Sequence, residues 1–278
     1  MSCQSGNSYI VTTGDTLFLI AQQKLGDGNR WHEILKPDGT QFTEAQASSL
    51  QAGQEICIPQ TDTTSPSPNS GFSNIVSRNI YETIFPERNN LYTYDSLVRA
   101  VETYPSFCNE GSQEQCQREA AAFLANIAHE TGDLRYVEEI GCEDGRCAEQ
   151  YCDRNNATYA CIAGKSYHGR GPIQLSWNYN YGACGQAIGQ DLLNHPELVS
   201  TDSIISFMTA LWFWMTPQSP KPSCHEAIRT SGFGKTIYII NGGIECKKPP
   251  TEAALHRIQL YNQFTERLGV TPGENLSC

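Results

Sequence analysis

Apolar positions recur at helical spacing in two stretches of the chain. In YTYDSLVRAVETYPSF they fall at Leu97, Val98 and Val101, with Asp95 placed as a cap. In EQCQREAAAFLANIAHE, Ala122, Ile127 and Ala128 recur around Phe123 and Leu124. The second run carries Glu130 in its last turn and breaks at Thr131-Gly132. Nearer the N-terminus, Tyr9-Ile10-Val11 suits a short strand and Thr13-Gly14-Asp15 a turn, and Asp15 or Thr16 can cap a helix reaching about Leu25. Gly26-Asp27-Gly28 stops that helix, Asn29 caps a second one carrying Trp31, Ile34 and Leu35, Lys36-Pro37-Asp38-Gly39 is a turn, and Gln54 to Pro59 is a closing strand. The predicted order is strand, helix, helix, strand. Further on, Gly169-Arg170-Gly171-Pro172 is a rigid turn, and Ile173-Gln174-Leu175-Ser176 alternates apolar and polar, which predicts a strand with Gln174 and Ser176 on one face.

Between these patterns lies TDTTSPSPNSG, residues 61–71, rich in Ser, Thr and Pro and nearly free of large apolar side chains. It divides the 278 residues into a piece spanning 1–60 and one spanning 72–278. Fully extended, it reaches on the order of 35 Å. At 39% hydrophobic the chain can bury a sizeable core, and no apolar run approaches the roughly 20 residues of a membrane span. Net charge is 19 − 30 = −11, with the acids spread along the chain. That disfavours nucleic acid or an anionic membrane as partner and leaves neutral or cationic ligands. The expectation is a monomer.

Twelve cysteines, an even number with the close pairs Cys108/Cys116, Cys142/Cys147 and Cys152/Cys161, predict disulfides and an oxidising, extracellular compartment. Zinc held by Cys142, Cys147, Cys152 and Cys161 is the alternative, but no C-x2-C knuckle occurs among them. Cys3 and Cys57 stand at the two ends of the small piece, which has too little core to be very stable alone, and can staple it. No basic start and apolar run precede Ser2-Cys3. The expectation is that a secretory leader was removed and Met1 added for expression. Asn156-Ala157-Thr158 and Asn275-Leu276-Ser277 fit the N-glycosylation pattern.

The candidate chemistry is a pair of acids. Glu130 lies at the negative end of a helix, among apolar residues; both factors favour a carboxylic acid that keeps its proton near neutral pH and can donate it. His129-Glu130-Thr131-Gly132 lacks the second histidine of a zinc protease. Glu139 follows nine residues after Glu130 across a glycine-containing break, so a loop folding back can set the two across a cleft. Glycoside hydrolysis needs such a pair, one acid to protonate the leaving oxygen and one base to activate water. Trp177, Asn178, Tyr179 and Asn180 add aromatic and amide groups suited to sugar rings and acetamides.

Two resemblances sharpen this reading. YIVTTGDTLFLIA, NRWHEI and LQAGQEICIP resemble a LysM domain. That implies binding of N-acetylglucosamine polymers, chitin or peptidoglycan, between Gly14-Asp15-Thr16-Leu17 and Lys36-Pro37-Asp38-Gly39. AHETG, YHGRGPIQLSWNYNYG, ALWFWMT, GFGKTIYIINGGIEC and LGVTPGENLSC together resemble the family 19 chitinases over residues 72–278. This implies a mainly α, lysozyme-like α+β catalytic domain beside a small βααβ LysM domain. It also implies endo-hydrolysis of β-1,4-linked N-acetylglucosamine with inversion and without metal or organic cofactor. By the resemblance, Glu130 is the general acid, Glu139 the general base with Glu138 as the alternative, and Ser176 the water-positioning serine. Substrate contacts map to Lys165, Gln174, Tyr179, Asn180, Asn241 and Arg257, with Asn241, Glu245 and Arg257 holding the acids. The family pattern implies Cys152–Cys161 and Cys246–Cys278. A Cys142–Cys147 bridge would close a loop that departs from the family, and Cys108–Cys116 and Cys184–Cys224 remain by elimination. The alternatives are a peptidoglycan hydrolase and a catalytically weak chitin-binding lectin. Antifungal defence, nutrition and cell-wall remodelling all fit the sequence.

Overall fold

The computed structural model describes residues 3, 7–12, 15–25, 28–47, 50–59, 71–142, 146–147 and 149–278. Residues 61–70 of the Ser/Thr/Pro segment lie outside the described residues, as do Gly14 and the helix stop at Gly26-Asp27. The chain divides into two compact units, Met1–Ser65 and Pro66–Cys278.

In the small unit, β1 (Asn7–Ile10) pairs antiparallel with β2 (Glu55–Ile58), Asn7 opposite Ile58 and Ile10 opposite Glu55. Between them come α1 (Leu17–Lys24), a 3₁₀ helix (Gly28–Glu33) and the short α2 (Glu44–Ala47). Val11, Leu17, Ile20, Ala21, Leu25, Ile34, Phe42, Ile56 and Ile58 form one core. The second helix is thus 3₁₀, and Asn29 falls inside it instead of capping it. Of the two candidate caps of α1, Thr16 is the residue directly before it, and Asp15 is engaged in the preceding loop. Its Oδ2 accepts hydrogen bonds from the Thr12 backbone N–H (2.7 Å), the Thr12 hydroxyl (2.9 Å) and the Tyr9 hydroxyl (2.9 Å). A carboxylate that can reach three donors in its own turn is not free for the helix end, and those bonds hold its pKa below the ordinary range.

The large unit is helical: α3 (Gly71–Ile75), α4 (Arg78–Ile84), α5 (Tyr94–Glu102), α6 (Gln113–Thr131), α7 (Asn178–Ile188), α8 (Leu198–Thr201), α9 (Ser203–Met215), α10 (Cys224–Thr230), α11 (Phe233–Glu245) and α12 (Glu252–Arg267). Gly71, which closes the Ser/Thr/Pro segment, already opens α3. Thr93 caps α5, its hydroxyl accepting from Ser96 N–H at 3.1 Å, while Asp95 lies in the first turn, so the cap is two residues earlier than expected. Helix α6 starts at a capping box, with Ser112 and Gln115 exchanging side-chain and backbone bonds. It is buried without interruption from Glu119 to Ala128. The small side chains of Ala120, Ala121, Ala122, Ala125 and Ala128 let α3, α10, α11 and α12 pack around it. Phe123 meets Phe107 and Trp214 edge-on. Each such fully buried large side chain contributes roughly 1.5–3 kcal/mol. The buried Glu119 accepts from Trp214 Nε1 (3.0 Å) and from Cys108 N–H (3.1 Å), and its Oε1 lies 2.6 Å from His225 Nδ1.

Four disulfides are formed: Cys3–Cys57, Cys142–Cys147, Cys152–Cys161 and Cys246–Cys278. The four cysteines of the zinc alternative are consumed by two of these, leaving no thiolate for a metal. The other two expected pairs are not bridged; Cys108, Cys116, Cys184 and Cys224 are free and buried. The Cys116 thiol donates to the Glu110 carbonyl at 3.2 Å, while the Cys108 backbone is tied to Glu119. Cys184 belongs to α7, which packs on α9, whereas Cys224 opens α10, which packs on α6, α9 and α11. Burial pushes all four thiols up.

Candidate active site

Helix α6 delivers Glu130 in its last turn and ends at Gly132, whose φ of 57° closes the helix with its N–H on Ala128 O. Asp133 (φ 63°) and Leu134 (φ 61°) continue in the same left-handed region, which turns the chain sharply back. Residues 137–139 then run beside 169–171. Glu139 N–H donates to Gly169 O (2.8 Å), Gly171 N–H to Val137 O (2.9 Å), and Arg170 bridges both Glu138 and Leu175. This ladder is the small β element of the large unit.

Glu130 is 17% exposed at its side chain and accepts a hydrogen bond from Arg257 Nη2. Arg257, from α12, is wholly buried, and every arm of its guanidinium is used. Nε donates to Glu245 Oε2 (2.8 Å), Nη2 to Glu245 Oε1 (2.8 Å) and Nη1 to Asn126 Oδ1 (3.1 Å). Asn126 is fixed in turn by Ala122 O (2.9 Å) and Thr236 Oγ1 (3.2 Å). Asn241 breaks α11 with φ −141° and donates to Glu245 Oε1 at 2.9 Å. One cation therefore serves two carboxylates. Burial pushes Glu245 up, but Arg257, in bidentate contact, more than offsets it and leaves Glu245 below the ordinary range. For Glu130 burial wins over Arg257, and its pKa is raised. The group is electrically neutral when Glu130 carries a proton. His129 adds no second cation, since burial and Arg257 push it down to about 4, and its Nδ1 lies 2.9 Å from His256 Nδ1.

Glu139 is held by different groups. The Tyr151 hydroxyl donates to Oε1 (2.8 Å) and Gly169 N–H to Oε2 (3.3 Å). Its neighbour Glu138 is engaged elsewhere, with His168 Nε2 at 3.0 Å and Arg170 Nε at 3.7 Å. Burial pushes Glu138 up, but Ser200, His168 and Arg170 bring it below the ordinary range. The network of Asn241, Glu245 and Arg257 reaches Glu130 alone, so it holds one acid and not both.

The segment 173–176 is a turn, not a strand. Gln174 N–H bonds to Gly171 O (3.1 Å), and Gln174 takes φ 52°. The alternation arises because Ile173 and Leu175 are buried from a turn whose polar Gln174 and Ser176 are half-buried and bond back to its own carbonyls. The Ser176 hydroxyl donates to Gln174 O (2.9 Å), which leaves its oxygen as an acceptor. Asn180 Nδ2 donates to Ser176 O (2.9 Å), the Tyr179 ring stacks on Trp177 (5.9 Å, 17°), and Lys165 Nζ lies 3.7 Å from Glu197 Oε2.

This geometry has counterparts. Residues 75–278 match the model of glycoside hydrolase family 19, "Chitinase class I", and residues 9–36 match the LysM domain. The chain belongs to glycoside hydrolase family 19. Endochitinase CH25 of Brassica napus is 41% identical over 254 residues, covering 81% of this chain and 79% of the relative. Chitinase 3 of Oryza sativa subsp. japonica is 42% identical over 238 residues, covering 75% and 74%. Among solved structures, chitinase C from Streptomyces griseus superposes with a TM-score of 0.70 at 46% identity, over 76% of this chain and all of that one. The class IV chitinase from Zea mays gives 0.65 at 38%, over 74% and 98%. As a family 19 member the chain is a glycoside hydrolase, with the mainly helical catalytic fold of that family and a LysM domain before it.

In the LysM unit, Gly14 lies outside the described residues, while Asp15 organises its own loop through Tyr9 and Thr12. The Lys36-Pro37-Asp38-Gly39 turn is closed by Gly39 N–H on Lys36 O (2.8 Å) with Gly39 at φ 82°, and Asp38 Oδ1 accepts from Thr40 N–H (3.0 Å). Thr16 O accepts Ile20 N–H at 2.9 Å, and Leu17 is buried in the core. In the family 19 domain, Tyr151, Gly169, His168 and Asn126 escaped the sequence reading. Tyr151 stands beside Cys152 with no local pattern to mark it, whereas His168 and Gly169 lie inside the YHGRG motif, which gives them no role of their own.

Proposed function

We propose that the chain is an endo-acting, inverting chitinase directed to its polymer by the LysM domain. Glu130 serves as general acid, Glu139 as general base, and Ser176 as the second holder of the attacking water. The observation that carries this reading is the pocket around Glu130, where one guanidinium is shared with the buried Glu245 and burial outweighs it, so that the pKa of Glu130 is raised and a proton on it is favoured. Glu139 receives two donors, from Tyr151 and Gly169, and Ser176 presents an acceptor oxygen. A water donating one hydrogen to Glu139 and one to Ser176 Oγ keeps a lone pair for C1 as Glu130 protonates the glycosidic oxygen. Lys165, Gln174, Tyr179, Asn180 and Asn241 are assigned to the sugar, and Asp15 to Leu17 with Lys36 to Gly39 to the LysM ligand. No cofactor takes part. The domain bounds assigned are 1–60, 61–71 and 72–278. Four disulfides support an extracellular site of action.

The deciding experiment is anomer-resolved NMR of fresh products from N-acetylglucosamine hexamer. The expected product is the α-anomer. A β-anomer would mean retention and would remove Glu139 as base. Cleavage of peptidoglycan with none of the hexamer would transfer the assignment to a peptidoglycan hydrolase. Deleting residues 1–60 is expected to lower the rate on insoluble chitin by about tenfold or more while leaving the soluble hexamer within about twofold, because linkage to a bound module raises local substrate concentration without altering the cleft. Equal losses on both substrates would reject targeting.

A further inference from the structure

Trp177 is out of place by ordinary packing rules. Its backbone stands at φ 77°, ψ 138°, a region glycine favours and a bulky side chain seldom enters. The strain is not repaid by core burial, since Trp177 is among the exposed large apolar residues, at 36%. What the conformation achieves is contact with Tyr151. The indole meets the Tyr151 ring edge-on at 5.6 Å and 79°, and Tyr179 stacks on the indole at 5.9 Å and 17°. The next residue, Asn178, fixes the same tyrosine's backbone, its N–H donating to Tyr151 O at 3.2 Å. Asn178 is itself anchored by Asp153 N–H (2.8 Å) and Tyr159 O (2.6 Å). The Tyr151 hydroxyl ends on Glu139 Oε1. Burial and Glu139 push Tyr151 up to about 12, so the phenol stays a donor wherever the protein is folded and active.

We propose that Trp177 is a positioning residue which, through the Tyr151 ring, fixes the rotation of the Glu139 carboxylate. The inference rests on the assignment of Glu139 as general base. A carboxylate with one oxygen tied to Gly169 N–H and the other to Tyr151 has a single orientation, and its remaining lone pairs point in fixed directions at the water. Without the ring contact the phenol swings, Oε1 loses its donor, and fewer encounters present an aligned base. Such a loss falls on kcat and leaves KM little changed, because the sugar is bound by other groups.

The test compares Trp177→Gly, Trp177→Phe, Tyr151→Phe, the double Trp177→Gly/Tyr151→Phe and Glu139→Gln in the full chain, on soluble N-acetylglucosamine hexamer. Trp177→Gly removes the ring and also relieves the backbone, so folding is not expected to suffer; Trp177→Ala, which keeps a β-carbon as the parent does, is the second ringless variant. The expected result is a kcat loss of about tenfold for Trp177→Gly with KM within about twofold. Tyr151→Phe should match it, the double should be no worse than either single, and Trp177→Phe should recover most of the rate. A loss confined to KM would make Trp177 a direct sugar contact and overturn the proposal. Multiplying losses in the double, or an unchanged Trp177→Gly, would overturn it as well. If these arise while Glu139→Gln is inactive, the positioning role alone falls. An active Glu139→Gln would overturn the base assignment and this inference together.

Discussion

Glu130→Gln is expected to lower turnover of N-acetylglucosamine hexamer by between about a hundredfold and ten-thousandfold while leaving oligosaccharide affinity and folding intact. Glutamine has the shape of a protonated glutamic acid and the same lack of charge. The pocket around Arg257 is neutral when Glu130 is protonated, so the substitution leaves its electrostatics near the resting balance, and an amide oxygen can still accept from Nη2. What it removes is the transferable proton. The same pocket sets a pH dependence. The acid must be protonated to act, and its pKa is raised by burial, so kcat/KM falls as pH rises through a value above the ordinary glutamate range. Calorimetric titration with hexamer, a pH–rate profile and a thermal melt check all three parts. Turnover near that of the parent would remove Glu130 as the acid. A basic limb at or below the ordinary glutamate range would remove the account of how its proton is kept.

Glu130 was legible from sequence because its position is a local property: the apolar period places it in the last turn, and Gly132 marks the stop. Glu139 was legible only as a spacing, and its partners were not. Tyr151 and Gly169 lie 12 and 30 residues further on, and only the folded chain brings them to it. The differences have two causes. Asp95, and Asp15 beside Thr16, lose the cap position to competing groups within a few residues, whereas the 173–176 strand and the two unformed disulfides rest on patterns that carry no tertiary information. Ile173 and Leu175 are buried through a turn, Asp15 is claimed by Tyr9 and Thr12, and Thr93 caps α5 in place of Asp95. Cys184 and Cys224 were paired by elimination, a rule that carries no geometry. The network from Asn126 through Arg257 to Glu245 spans α6, α11 and α12. The family resemblance implies Glu245 and Arg257 but not Asn126, and the network's division of labour, serving Glu130 and not Glu139, emerges only from the hydrogen bonds.

Arg257→Leu is expected to destabilise the large unit by about 3–5 kcal/mol, because it strands Glu245 as an uncompensated buried carboxylate beside Glu130. Leucine fills much of the volume, so the cost is electrostatic and identifiable as such. In the parent, Glu245 is held below its unfolded pKa. It therefore contributes stability that is present above that unfolded value and lost as pH falls through the folded one. In Arg257→Leu the guanidinium is lost while burial, the largest influence, and the Asn241 hydrogen bond remain; the pKa of Glu245 is expected to move above its unfolded value, and the sign inverts, so the variant loses stability as pH rises. Replacing both members, Arg257→Leu/Glu245→Leu, removes the charge with its partner and is expected to recover most of the lost stability, since a buried ion pair is often worth no more than the packing that replaces it. Activity does not return with it, because Glu130 keeps its burial but loses the guanidinium that orients its carboxyl group. Urea unfolding followed by the fluorescence of Trp212 and Trp214, repeated across pH, measures each step. Arg257→Leu within about 1 kcal/mol of the parent, or a double variant no more stable than the single, would mean that Arg257 and Glu245 are not a charge-compensated buried pair.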